Sequence, residues 1–161
     1  QVVELCNQRR ILVDLSHASK NTFWGAIEVH SSNVPPIVSH TGIQAVYDHW
    51  RNIDDDQIRE IADRGGVIGI MYQGSFLTRS AFNCPRSCIL DHAEHVIDLV
   101  GEDFVAIGTD YDGMIVPPVD LVDVTHHPLL VQDALDRGWS ADRVRKMLGL
   151  NYLRVVKAAR E

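Results

Sequence analysis

Three side chains able to bind a metal stand just past short apolar runs: His17 after residues 11–15, His40 after 37–38 and Asp110 after 104–107. Runs of this kind, bounded by polar residues, read as strands buried on both faces. The carboxyl end of a parallel strand is where α/β folds place chemistry, because the strand fixes a side chain while the loop beyond it is free to vary. All such ends lie on one face of a parallel sheet, so His17, His40 and Asp110 are expected to converge although they are distant in sequence. Two neutral imidazoles with a carboxylate nearby suit zinc, which takes nitrogen and oxygen donors at about 2.0–2.2 Å. Arg51 stands in the loop that follows His40.

The elements that must position these residues alternate. Strands are expected at 11–15, 37–38, 67–71 and 104–107. Helices are expected from about Ser19, with Phe23, Trp24 and Ile27 inward; briefly over 43–47; after Asp54; over 88–100; from Pro128 to Leu135; from Ser140 to about Leu148; and over 151–160. Asp54 with Gln57 three positions on has the form of a capping box, so the Asp run at 54–56 is explained without calcium. Residues 31–36 form a turn cluster, and 72–87 a long polar loop. Strand and helix alternating four times means a parallel sheet with crossover helices. The expected fold is therefore α/β, a single domain over residues 1–161. Four such units amount to about half of a (β/α)8 TIM-type barrel, whose usual length is about 250 residues.

Composition bounds the function. The chain has 161 residues, 45% apolar and 23% charged, as an ordinary globular domain has. A net charge of −7 argues against a nucleic-acid or anionic-membrane partner. No apolar run approaches the roughly 20 residues of a membrane span. The first residue is Gln, and Val2, Val3, Leu5 and Cys6 look like the tail of a helix already under way, so the chain is expected to begin inside a larger domain. Cys6, Cys84 and Cys88 make no disulfide framework. They read as small free thiols, with Cys84 and Cys88 placed to pair in an oxidising compartment.

Taken together, several segments resemble the renal (membrane) dipeptidase family, in the same order and at similar spacings. They are Asp14-Leu15-Ser16-His17, Ser39-His40, Arg51-Asn52, Arg64-Gly65-Gly66-Val67-Ile68-Gly69-Ile70, Gly108-Thr109-Asp110-Tyr111-Asp112-Gly113, Gly138-Trp139-Ser140 and Asn151-Tyr152-Leu153-Arg154-Val155. The resemblance covers nearly the whole chain. It implies a (β/α)8 barrel with two zinc ions at its carboxyl face that hydrolyses dipeptides. On that basis His17 and His40 would bind the second zinc, Arg51 would take the substrate's terminal carboxylate, and Asp110 would lie against the substrate near the metals. A guanidinium fork matches a free carboxylate in a bidentate way, which would select short peptides with an open carboxyl end. A metal pair about 3.5–4 Å apart activates water and polarises a carbonyl. Asp110 would orient that water or pass its proton to the leaving amine.

The departures from the family pattern bear equally on function. The His-x-Asp pair of the family's first strand, its metal-bridging glutamate and a substrate-contacting histidine belong to the amino-terminal half and have no counterpart here. Only one metal's terminal ligands are expected in this chain, with association as a homodimer or with an amino-terminal half. Two other readings stand beside the dipeptidase. One is a zinc amidohydrolase of the same architecture acting on a ring amide or lactone, which would have no use for Arg51. The other is a non-catalytic fragment or partner subunit, which metal content would separate. The remaining histidines read as structural. His30 looks like a cation at a helix end, His49 like a residue behind Arg51, His92 and His95 like packing or surface groups, and His126 and His127 like loop residues. Asp112 reads as a turn residue.

Overall fold

The computed structural model describes residues 1–31 and 33–160. Of the turn cluster expected at 31–36, Ser32 lies outside the described residues. Helix α1 (Val2–Arg9) buries none of its side chains and ends at Arg10 in the left-handed conformation. Helix α2 (Lys20–Val29) is capped by Ser19, whose hydroxyl accepts from the Thr22 N–H, and it sends Phe23 and Ile27 inward. Strand β1 (Ile37–Thr41) follows, then helix α3 (Asp55–Asp63) with both bonds of the Asp54–Gln57 capping box formed. Strand β2 (Val67–Ile70) is buried throughout. Helix α4 (Gly74–Leu77) and a 3-10 turn at Ala81–Asn83 break up the loop expected to be irregular. Helix α5 (Ser87–Val100) and strand β3 (Val105–Ile107) come next. The carboxyl-terminal part is helical: α6 (His127–Asp136), α7 (Ala141–Arg145), a wider turn at Lys146–Leu150 and α8 (Asn151–Arg160).

The three strands form one parallel sheet in the order β1-β2-β3. Alternate side chains therefore leave opposite faces. Val38, Ile68, Ile70 and Val105 join Phe23, Ile58, Ile61, Ile89, Ala93 and Leu130 in the main core, the side that the crossover helices cover. Val67 and Ala106 pack with Val155 of α8 in a second, smaller cluster on the other side.

The apolar run at 11–15, expected as a strand, contributes one parallel bridge, Asp14 opposite Ile37. Two backbone hydrogen bonds make it: Ile37 N–H to Val13 O at 2.9 Å and Leu15 N–H to Ile37 O at 2.8 Å. The ladder stops there because Asp14 turns its carboxylate onto the next backbone N–H groups and the chain bends at Ser16 and His17. The expected helix at 43–47 is a turn, with Val46 and Tyr47 N–H both bonded to Ile43 O. A parallel bridge between Ile43 and Ile53 closes this loop and competes with helix extension. Helix α7 stops earlier than expected, and the wider turn passes through Gly149 before α8 starts.

Helix α8 spans the amino-terminal ends of the strands, opposite to where His40 and Asp110 sit. Asn151 Nδ2 donates to Glu102 O (2.8 Å) and Val105 O (2.7 Å) before and in β3. Arg154 donates to Gly66 O (2.9 Å) and Asp103 O (2.8 Å), and also to Gly65 O. Among the described residues no helix is long and apolar enough to cross a membrane.

Candidate functional site

The bends that end the first apolar run and strand β3 are made by candidate site residues themselves. His17 has φ 64° and Asp110 has φ 58°. Both lie in the left-handed region, where histidine and aspartate are among the side chains found more often than most. Departures of this kind cluster at functional sites, where the surrounding structure holds them in place.

The structure brings His17 and His40 together. Their Nε2 atoms stand 2.9 Å apart, with the rings edge to face at 4.9 Å between centroids. Two nitrogens each about 2.0–2.1 Å from one tetrahedral zinc ion lie about 3.3 Å apart, so a shared ion would need this pair to open by only a few tenths of an ångström. Asp110 approaches less closely, its Oδ2 3.9 Å from His40 Nε2. Among the described residues no set of three His, Cys, Asp or Glu side chains stands close enough to hold a metal. The expected convergence of three ligands is thus realised as a pair with a carboxylate beside it.

Behind His40 runs a chain of hydrogen bonds. Ser39 Oγ donates to Asp14 Oδ2 at 2.5 Å, which leaves its lone pairs to accept from His40 Nδ1–H at 2.9 Å. That assigns the Nδ1–H tautomer to His40 and leaves the Nε2 lone pair facing His17, as a metal-ligating imidazole requires. Asp14 also accepts from the Ser16 and Ser39 N–H groups, each at 3.0 Å. Burial alone would raise the Asp14 pKa, but hydrogen bonds from Ser39 and Ser16 outweigh it and hold the carboxyl below its usual range. His40 is pulled down by burial, with Arg51 and His17 in the same sense and Asp110 and Asp14 opposing. A neutral imidazole at pH 7 follows. The sequence placed Asp14, Ser16 and Ser39 in the motifs but gave them no role, because the bonds that define one join residues about 25 positions apart.

Arg51 is 8% exposed. Its Nη2 reaches His40 O at 3.4 Å, and its Nε is buried without a partner. Burial lowers the Arg51 pKa while Asp110 and Asp14 push it back up, and guanidinium stays protonated regardless. The loop carrying it is pinned from several sides. Asn52 Nδ2 donates to Tyr47 O (2.9 Å) and Phe76 O (2.8 Å), and His49 Nδ1 accepts from the Arg51 N–H at 3.2 Å while its ring stacks on Phe76. A recess of about 360 Å³ opens between His17 and Arg51, walled also by Lys20, Gln44 and Trp50; His40 and Asp110 are not among its walls.

His92 is fully buried in α5, where Nδ1 accepts from Ile43 N–H (2.8 Å) and Nε2 donates to Leu77 O (3.1 Å), so it braces the base of the Arg51 loop. His95 pairs with Asp55 at 2.8 Å, and His126 with Asp123 at 3.0 Å. His30 departs from its expected role. It is buried with both ring nitrogens unpartnered, and burial and then Arg64 lower its pKa, which makes it neutral and not a helix-end cation. The three cysteines are free, and burial pushes Cys84 up to about 12.

A family model described as membrane dipeptidase (peptidase family M19) matches residues 1–161. An uncharacterised protein in the pqqA 5′ region of Klebsiella pneumoniae is 32% identical over 159 residues, covering 97% of this chain and 58% of that protein. Dipeptidase 3 of Mus musculus is 34% identical over 157 residues, covering 98% of this chain and 31% of its own length. Among solved structures, a metallopeptidase from Rhodobacter sphaeroides, crystallised with a phosphinate mimic of the dipeptide L-Ala-D-Ala, superposes with a TM-score of 0.92 at 28% identity. The match covers 98% of this chain and 45% of that one. The chain therefore spans between about a third and somewhat over half the length of these relatives.

Proposed function

This chain belongs to the membrane dipeptidase family (peptidase family M19), and from that premise we propose that it forms the carboxyl-terminal half of a metal-dependent dipeptidase barrel. The observation that carries the reading is the His17–His40 pair, with Nε2 atoms 2.9 Å apart and Arg51 linked through His40 O to the same strand end. Parallel strands with helices on one face, and a span of 31% to 58% of the curated relatives' length, support the half-barrel. A structural neighbour that holds a dipeptide mimic supports the substrate class.

In this reading His17 and His40 are terminal ligands of one of two zinc ions, and the rest of the ligand set lies outside this chain. When bound, such a metal pair polarises the scissile carbonyl and activates water near neutral pH. The chain's own residues do the rest. Asp14 and Ser39 hold the His40 proton on Nδ1, so that Nε2 remains a donor of its lone pair. The Arg51 fork clamps the carboxylate of the substrate's last residue, and its unpartnered Nε is a donor in hand for that anion. Asp110, 3.9 Å from His40 Nε2, accepts a proton from the attacking water and returns it to the leaving amine.

The test compares Arg51→Ala with wild type in the complete enzyme, on dipeptides with free and with amidated carboxyl ends. Loss of a bidentate, charge-assisted pair should lower kcat/KM on free dipeptides by about 30- to 1,000-fold, the equivalent of ~2–4 kcal/mol. Amidated substrates, poor to begin with, should change little. Equal losses on both would mean that Arg51 is structural and would return weight to an amidohydrolase acting on ring amides.

A further inference from the structure

Strand β1 carries a bulge at the residue that presents His40. Ile37 pairs with Val67 and Val38 with Ile68, but the next partners are Thr41 and Ile70, so Ser39 and His40 together face Gly69 alone. Bulges re-aim side chains and are common beside active sites. Four side chains from three segments meet the backbone groups of the two bulged residues. Ser39 N–H goes to Asp14 Oδ1 (3.0 Å) and His40 N–H to Ser16 Oγ (3.0 Å), while His40 O accepts from Arg51 Nη2 (3.4 Å). The fourth group, Ser39 O, accepts from the hydroxyl of Tyr152 at 3.0 Å. Tyr152 lies in the first turn of α8, the helix across the opposite end of the sheet.

The face of the sheet opposite the main core is cut away to permit this contact. Ser39 O leans over Gly69 of β2 and Gly108 just past β3, and a Cβ at either position would collide with it. Ala106 lies on the same face, and Tyr152 packs against the cluster that it forms with Val67 and Val155. The phenol thus lies on a face of small residues and ends at the carbonyl of the residue before His40. Burial pushes its pKa up to about 12, so it is the donor at any working pH.

We propose that Tyr152 is a positioning residue for His40: by fixing the Ser39 carbonyl it sets the bulge that aims His40 Nε2 at its partner. The proposal rests on the reading of His40 as a metal ligand. It makes α8 part of the site's support, although the helix touches none of the reacting groups.

The test uses the complete protein, stripped of metal, with three variants: Tyr152→Phe, Val155→Ala and His40→Ala. Zinc affinity is measured by competition with a chelator, the cobalt(II)-loaded protein is examined by visible absorption, and melting is followed for each. Tyr152→Phe should weaken zinc binding on the order of 10-fold and change the cobalt spectrum, with a melting temperature close to wild type. Val155→Ala, in the same cluster but without a bond to Ser39, should melt lower and leave zinc affinity and spectrum unchanged. If Tyr152→Phe binds zinc as tightly as wild type with the same cobalt spectrum, while His40→Ala binds it more weakly, the positioning role falls and the metal site stands. If His40→Ala itself leaves zinc affinity unchanged, the metal reading falls, and the role of Tyr152 falls with it.

Discussion

The two candidate site histidines meet because each follows a segment that stops pairing at the right place: Asp14 ends the first by turning its carboxylate onto backbone N–H groups, and the second stands in the bulge of β1. A third histidine works as a neutral strut. His92 is fully buried and uses both ring nitrogens, one accepting from Ile43 N–H and one donating to Leu77 O. Burial lowers its pKa from 6.5, partly offset by the bond to Leu77. Below pH 6.5 the unfolded chain therefore binds more protons here than the folded one does. The contribution is fully present above pH 6.5 and is lost as pH falls through the folded-state value. His30, His40, His49 and His127 are shifted in the same direction. Stability should thus decline from pH 7.5 to 5.5, and His92→Gln should flatten that slope by at most about 1.4 kcal/mol per pH unit. Urea unfolding of both proteins at the two pH values measures it, and an unchanged slope would show that folding does not displace the His92 pKa.

At the scale of elements, helix α3 and helix α8 show what could and could not be read from the sequence. Asp54, Gln57, Ile58, Ile61 and Ala62 announced α3, its cap and its buried face, because cap chemistry and helical period are local. The same locality gave α5 to within one residue and the start of α2 near Ser19. Pro128 marked the start of α6. For α8 a helix was expected over 151–160, but that does not say which surface the helix meets. That is settled by Arg154 and Asn151 reaching strand-end carbonyls 46 to 89 positions away. His17, His40 and Arg51 were legible as candidates because each stands just past a strand end or in the loop beyond one. Asp14, Ser39 and Tyr152 were not, since their roles are long-range hydrogen bonds. The two helices also differ in expected cost. Asp54→Ala should destabilise by about 1 kcal/mol through loss of the cap, although its ion pair with the largely exposed Lys20 adds little. Arg154→Leu should cost about 2–4 kcal/mol, because three carbonyls lose a charged donor. Denaturant midpoints that placed Arg154→Leu at or below the cost of Asp54→Ala would contradict this docking of α8.

For the whole molecule, the sheet of three parallel strands is well covered by helices on one face and thinly on the other, where Val67, Ala106 and Val155 form a small cluster. Among the described residues strand β3 is the last of the sheet and pairs with β2 alone, and an edge of this kind invites association. If the chain is half of a closed barrel, these are the surfaces that the other half would cover. Prepared alone with excess zinc, the 161-residue chain should sediment as a mixture of sizes and show little or no dipeptide turnover. Adding the remaining half of the barrel in trans should sharpen the size distribution and raise activity. A monodisperse chain that turned over dipeptides at ordinary enzymatic rates would overturn the half-barrel proposal.

In the proposed reading Arg51 connects recognition to the stability of the fold. A guanidinium at 8% exposure with an unmet Nε is a deficit carried by the empty protein, which replacement by an uncharged chain of similar length would relieve. Arg51→Met should therefore melt higher than wild type in the absence of ligand, by about 2–4 °C for each kcal/mol relieved. An incoming carboxylate relieves the same deficit in the wild type, so small acids that occupy the site should raise its melting temperature with concentration. Arg51→Met should start higher and not respond. Folding and substrate choice then draw on one buried charge, and a variant selected for heat resistance alone would tend to lose it.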